Sequence, residues 1–340
     1  HQLQVYSSIG EKLYDIDLPK KGTVESLSGS PKSPTLFYSF SSFALPTKVF
    51  KHDLKTNQSE VFFKPTVDIN PDNYITKQVF YESKDKTRIP MFIVHKKGLE
   101  KDGNTPVFLY GYGGFNISMT PFFSKSNLLW LENGGIFAMP NIRGGGEYGE
   151  KWHKQGMKLN KQNVFEDFIS AAEFLIDTNY TNKDRIAIHG ASNGGLLVGA
   201  VTNQRPDLFE VSIPAVGVMD MLRYHKFTIG WTWKDEYGSS QDSIHFENLY
   251  NYSPLHNIKE DVEYPATLVL TSNNDDRVIP AHSYKYIATL QEKYNGKNPT
   301  MIRIQTKAGH GAGKATNMKI QEEADMWTFI FNNMNIKPSL

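Results

Sequence analysis

The chain has 340 residues, 39% hydrophobic and 21% charged, ordinary values for a globular protein with room for one large domain and a smaller one. A formal net charge of +1 gives no global field to recruit nucleic acid or an anionic membrane. No run of about 18 apolar residues is present to span a bilayer as a helix. With no cysteine, disulfides and thiolate metal sites drop out, and a reducing compartment fits. No basic-then-apolar signal segment opens the chain and position 1 is His, so the expectation is a chain that starts inside a longer gene product.

Residues 1–66 read as short strands at 3–7, 12–18, 36–40, 48–54 and 60–64. Aromatic and β-branched residues are frequent there, and Gly, Ser, Pro and Asn fill the gaps. The pattern predicts a β-meander of about one four-stranded sheet and a little more. From residue 67 the texture changes. Runs at 106–110, 135–139, 185–189, 266–271 and 301–305 are strand-like. Residues 165–176 carry apolar side chains at helical spacing, and 196–201 and 324–331 also read as helix. Buried strands alternating with helices predict a mostly parallel sheet covered on both faces, an α/β domain over 67–340.

Gly190-Ala191-Ser192-Asn193-Gly194-Gly195 follows the strand at 185–189 and opens the helix at 196–201, which is the setting of a G-x-S-x-G nucleophile elbow. The serine of such an elbow occupies a strained turn, so its neighbours must be small enough for strand and helix to pass closely. The N–H after the serine then points at a developing oxyanion, helped by the helix N-terminus. On residues alone the motif competes with a plain structural glycine turn.

The partners come in the order expected of this elbow: serine, acid, histidine, each on a loop after a strand. The strand at 266–271 runs into Ser272-Asn273-Asn274-Asp275-Asp276-Arg277, and that at 301–305 into Lys307-Ala308-Gly309-His310-Gly311-Ala312-Gly313. His310, in a glycine-rich loop, can reach over a serine and act as base. His189 and His282 lack that context. Spacing does not separate Asp275 from Asp276 as the acid.

Two more glycine-rich loops stand out. The strand at 106–110 leads into Gly111-Tyr112-Gly113-Gly114-Phe115, where an elbow fold supplies its second oxyanion donor. The run Asn141-Ile142-Arg143-Gly144-Gly145-Gly146-Glu147-Tyr148-Gly149 lacks the Lys-Ser/Thr ending of a phosphate loop and is read as a structural turn.

Taken together, the residues resemble one family. Leu109-Tyr110-Gly111-Tyr112-Gly113-Gly114-Phe115-Asn116, the run 141–148, the elbow, 274–280 and 307–314 are similar, in this order, to prolyl oligopeptidase. The similarity extends through 199–208 and 216–225 and covers residues 67–340. It implies an α/β-hydrolase fold preceded by the C-terminal part of a β-propeller, the latter at 1–66. By the resemblance Ser192 is the nucleophile, Asp275 the acid and His310 the base. Tyr112, through its hydroxyl, and Asn193, through its N–H, would hold the oxyanion, and Arg277 would bind a substrate carbonyl. Phe115, Val218, Trp233, Tyr237 and Val278 would form the pocket for the residue before the scissile bond. Without the resemblance, Trp231 and Trp233 read as core aromatics and Arg277 as a surface ion-pair residue. A flat, apolar proline ring suits an indole in a dry slot, and a guanidinium, with its fixed donors, suits a carbonyl.

The implied activity is that of a serine endopeptidase cleaving short peptides after proline through an acyl-enzyme, with no metal or organic cofactor. Short proline-containing peptides are the expected ligands, with no nucleic acid or membrane partner, and the protein is expected to be monomeric and cytoplasmic. Three rivals share the sequence features. A macrocyclase would pass the acyl group to a peptide amine, a general esterase would use the same elbow, and a silent scaffold would use none of it. Family members are longer and insert the propeller near the start of the hydrolase domain, so a preceding segment, in the same or a separate chain, is expected to cover the blade's open edges. Met139-Pro140 departs from the small or β-branched residues expected before Asn141.

Overall fold

Segments rich in aromatic, β-branched and hydroxyl-bearing residues at the start of the chain form six strands: β1 (Leu3–Tyr6), β2 (Lys12–Ile16), β3 (Thr23–Gly29), β4 (Thr35–Ser42), β5 (Leu45–Asp53) and β6 (Gln58–Phe63). β1 and β2 form an antiparallel pair, and β3 to β6 form a four-stranded antiparallel sheet in chain order. Ile16, Tyr38, Phe40, Leu45 and Phe50 make a small core, with Tyr38 and Phe50 stacked at 5.0 Å between ring centroids. β6 is an edge strand exposed along its length, Val61, Phe62 and Phe63 included. The computed structural model describes every residue except 68, 312 and 340, so Ala312 of the glycine-rich histidine loop lies outside the described residues.

Eight further strands form one sheet: β7 (Tyr74–Glu82), β8 (Arg88–Lys96), β9 (Val107–Tyr110), β10 (Ile136–Pro140), β11 (Ile186–Ala191), β12 (Val211–Ala215), β13 (Ala266–Ser272) and β14 (Thr300–Gln305). Their spatial order is β14-β13-β12-β11-β9-β10-β8-β7, and β9 through β14 run parallel. The helices are α1 (Lys125–Glu132), α2 (Glu150–Lys154), α3 (Gln162–Asp177), α4 (Asn193–Gln204), α5 (Lys234–Tyr237), α6 (Ser243–Tyr252), α7 (Ala281–Lys293) and α8 (Thr316–Asn333). By its contacts the chain divides into His1–Thr76 with Val94–Gly98 and Thr120–Glu132, and Lys77–Ile93 with Leu99–Met119 and Asn133–Leu340.

The inner parallel strands β9 to β13 are largely buried, and each face of the sheet has its own cover. Leu109, Ile136 and Ile188 pack in one cluster with Phe165 and Phe168 of α3 and Leu197 of α4. Phe108, one residue along and therefore facing the opposite way, meets Trp327 of α8 at 4.8 Å. Val269 of β13 packs with Tyr286, Ile287 and Leu290 of α7. Phe165 is fully buried, so truncating it to alanine would cost about 3–5 kcal/mol. Parallel strands deliver their following loops to one edge of the sheet, so the loops after β9, β11, β13 and β14 converge there.

Candidate active site

Ser192 lies between β11 and α4 with φ 61° and ψ −114°, a conformation that costs a non-glycine residue about 1–3 kcal/mol. Its N–H donates to the Ala215 carbonyl at 2.9 Å, which pins the turn to β12. The elbow has no space to relax, because a Cβ added to Gly194 would sit 2.5 Å from the Gly111 carbonyl oxygen. Asn193 is the first residue of α4, so its N–H has no acceptor within the helix and is available to a ligand.

After β13 the chain turns so that Asp275 faces inward and Asp276 faces solvent. Asp275 Oδ1 accepts the N–H groups of Arg277 and Val278 at 3.0 and 2.9 Å. Its Oδ2 pairs with His310 Nδ1 at 2.6 Å, and the carboxylate side chain is fully buried. A proton on Nδ1 is thereby held by the carboxylate, which leaves Nε2 as the basic nitrogen. Of the two neighbouring aspartates that spacing left open, Asp275 is the one bonded to His310. Among the described residues Ser192 and His310 make no hydrogen bond to each other. His310 lines a cavity of about 180 Å³ with Ala191, Val216 and Lys314.

Ser192 opens onto a different cavity, of about 310 Å³, lined by Tyr112, Phe115, Ile117, Ser192, Val218, Ile229, Trp233, Tyr237 and Arg277. Most of the lining residues are apolar or aromatic, with Ser192 and Arg277 as the polar ones and Tyr112 and Tyr237 carrying phenols. Phe115 meets Tyr237 edge-on at 5.6 Å, and Trp233 stacks on Tyr224 at 6.3 Å with 12° between the planes. Val278 is buried in the same apolar cluster as Val218 and Tyr237 but does not line the cavity. Burial, helped by Tyr110 and Glu236 and opposed by Arg277, pushes the Tyr112 phenol up to about 12. That hydroxyl is therefore a hydrogen-bond donor throughout the neutral range.

A model described as the prolyl oligopeptidase family matches residues 121–337, and one described as the prolyl oligopeptidase N-terminal beta-propeller domain matches residues 1–65. The chain belongs to the prolyl oligopeptidase family. It is 52% identical over 337 residues to the prolyl endopeptidase of Elizabethkingia miricola, covering 99% of this chain and 48% of that protein. It is 40% identical to a dual function macrocyclase-peptidase of Galerina marginata, covering 99% and 47%. Among solved structures, one from a study of two prolyl endopeptidases superposes with a TM-score of 0.95 at 42% identity, over 99% of this chain and 50% of that one. The chain thus spans about half the length of the curated relatives it matches. The fold is that of the family, an α/β-hydrolase domain preceded by the C-terminal part of a β-propeller.

The glycine-rich run after β10 is a structural turn in this prolyl oligopeptidase relative. Asn141 donates to the Met119 carbonyl, and buried Arg143 forms an ion pair with buried Asp167 at 2.6 Å and with Asp85 at 2.5 Å. His189 and His282 are likewise structural: His189 Nδ1 bonds the Ile213 carbonyl, and His282 Nδ1 accepts the N–H of Asp220. The sequence reading missed Ile117 and Ile229 on the cavity wall, and Lys161, Glu236 and His153 behind it. No local pattern marks these residues, because each acquires its neighbours through contacts distant in sequence.

Proposed function

We propose that this chain is the catalytic part of a serine endopeptidase that cleaves short peptides on the carboxyl side of proline through an acyl-enzyme. The reading rests on one observation above the others: Ser192 at its elbow opens onto an apolar cavity shared by Tyr112, Trp233 and Arg277. A proline ring has no N–H and offers two apolar faces, which suits a slot between Trp233, Phe115 and Val218. The Arg277 guanidinium is a permanent donor for a peptide carbonyl on the same wall.

In the proposed mechanism His310 Nε2 takes the Ser192 proton while Oγ attacks the carbonyl carbon, so the Ser192–His310 contact closes when substrate docks. The negative charge that develops on the carbonyl oxygen is held by the Tyr112 hydroxyl and the Asn193 N–H. Asp275 stabilises the imidazolium, which returns the proton to the leaving amine. Water, activated by the same imidazole, then hydrolyses the ester. The division of the chain at 66/67, a monomeric state, a cytoplasmic location and association with a propeller-bearing N-terminal portion, in the same or a separate chain, belong to the same proposal. The absence of cysteine suits a reducing compartment.

A second reading keeps the acyl-enzyme and changes the acceptor to the amine of the same peptide. It is favoured by the 40% identity to the Galerina marginata relative named as a macrocyclase-peptidase. Initial rates on matched fluorogenic peptides ending in Gly-Pro or Gly-Ala, with Ser192→Ala as control, test the main reading. Strong proline preference, lost in Ser192→Ala, is expected. Equal rates on both peptides would overturn it, and cyclic product from a long peptide would favour the second reading.

A further inference from the structure

Lys161, immediately before α3, is 1% exposed, an uncommon place for an ammonium unless it is paired. Its Nζ donates to the Gly113 carbonyl at 2.9 Å and to Asn193 Oδ1 at 3.0 Å. Glu236 Oε1 lies 4.0 Å away, and the ring of Tyr237 lies 5.4 Å from the ammonium. The other end of the Asn193 side chain donates from Nδ2 to the Tyr112 carbonyl at 2.6 Å, and the Tyr237 hydroxyl donates to Oδ1 at 2.9 Å. Glu236 itself accepts the Phe115 N–H at 2.9 Å and pairs with His153 Nε2 at 2.7 Å. Phe115 and Asn116 both have φ 57°, costly for non-glycine residues, so the loop that carries Tyr112 holds strain that its contacts must offset.

The two oxyanion donors of the proposed mechanism come from segments far apart in sequence, one on the loop after β9 and one at the start of α4. Their separation must be right to a fraction of an ångström, because an oxyanion donor works at about 2.7–3.1 Å. Lys161 touches both segments at once. A buried charge is a poor device for stability alone, since apolar side chains of similar volume often serve as well or better. We propose that Lys161 is the positioning residue of the oxyanion site, clamping the Gly113 carbonyl to the Asn193 side chain and so fixing the Tyr112 hydroxyl against the Asn193 N–H. Tyr237 and Glu236 complete the clamp, one on Asn193 and the other on the Phe115 N–H. The inference rests on the peptidase reading above and adds to it a group that touches neither substrate nor the reacting atoms.

The test compares Lys161→Met with wild type in the full chain, using the Gly-Pro peptide and a peptidyl-prolinal aldehyde, which forms a tetrahedral adduct on serine. Lys161→Met should lower kcat about 100-fold with KM within about threefold, the scale of an ångström misplacement. Aldehyde affinity should fall by the same factor as kcat/KM, because the adduct needs the same two donors. Combined with Tyr112→Phe, the loss should be well short of the product of the single losses. Tyr237→Phe, which withdraws one hydroxyl from Asn193, should lower kcat about tenfold at constant KM. It also decides the matter if Lys161→Met does not fold, and an unchanged kcat there would overturn the clamp. Folded Lys161→Met with wild-type kcat, a change confined to KM, or full additivity with Tyr112→Phe would each overturn it as well. An inert wild type would instead overturn the peptidase reading itself, which keeps the two failures distinct.

Discussion

Replacing Asp275 by asparagine keeps the size of the side chain and removes its charge. Asp275 Oδ1 accepts two backbone N–H groups, from Arg277 and Val278, at 3.0 and 2.9 Å. The amide oxygen of Asp275→Asn must stay on those donors, because the opposite orientation would set N–H against N–H. Its NH₂ group then faces His310 Nδ1, where the carboxylate oxygen stood 2.6 Å away. His310 has to accept at Nδ1 and carry its proton on Nε2, the atom that must take the serine proton. A triad held in the wrong tautomer loses about 10⁴ in kcat, equivalent to about 5.4 kcal/mol of barrier. Initial rates on the Gly-Pro peptide should show that loss with KM little changed, and circular dichroism should report an intact fold. Asp276→Asn, next door but exposed, should stay within about twofold of wild type. Asp275→Asn within tenfold of wild type, or a larger loss in Asp276→Asn, would refute the assignment.

Trp233→Ala removes the indole from the wall of the 310 Å³ cavity and should cut the preference for proline over alanine about tenfold, measured as the ratio of kcat/KM on the matched peptides. An unchanged ratio would detach Trp233 from proline recognition. Asp167→Ala leaves the buried Arg143 guanidinium with the half-exposed Asp85 as its charged partner, beside the Ser83 and Thr87 hydroxyls, and urea denaturation should show a loss of about 3–5 kcal/mol. A loss under about 1 kcal/mol would contradict that burden on the pair. Burial, partly opposed by Asp220, depresses His282 from 6.5 to about 4, so between those values the unfolded chain binds a proton that the native state refuses. The stability contributed by neutral His282 is therefore full above about pH 6.5 and declines as pH falls toward 4. The urea midpoint of wild type should lose ground to that of His282→Gln over this window, and parallel pH profiles would show the reasoning to be wrong.

Much of the site is local, and local features are legible in sequence. The elbow needs small residues on both sides of one serine, and the structure places β11 and α4 directly around Ser192. The order serine, acid, histidine follows from the succession of parallel strands. Spacing could not choose between Asp275 and Asp276, because only the turn after β13 determines which carboxylate faces inward. Strand β3 escaped notice because Glu25, Ser26, Ser28 and Gly29 dilute its pattern, and β12 because Pro214 interrupts a short run. Helix α8 begins at Thr316 rather than at 324, since its first turns are polar and exposed and show no apolar period. The network around Lys161 is the opposite case. Its members, Gly113, Asn193, Glu236 and Tyr237, meet only after α3, α4 and α5 have packed, so no window of sequence contains it.

In the proposed function Ser192 is the nucleophile of a proline-specific acyl-transfer site. A Gly-Pro diphenyl phosphonate, which reacts only with an activated serine beside a filled pocket, tests it directly by mass spectrometry of the digested protein. A single adduct on Ser192 is expected, formed much faster than with the Gly-Ala analogue and absent from His310→Ala. An adduct on another residue, or equal rates with the proline and alanine reagents, would contradict it.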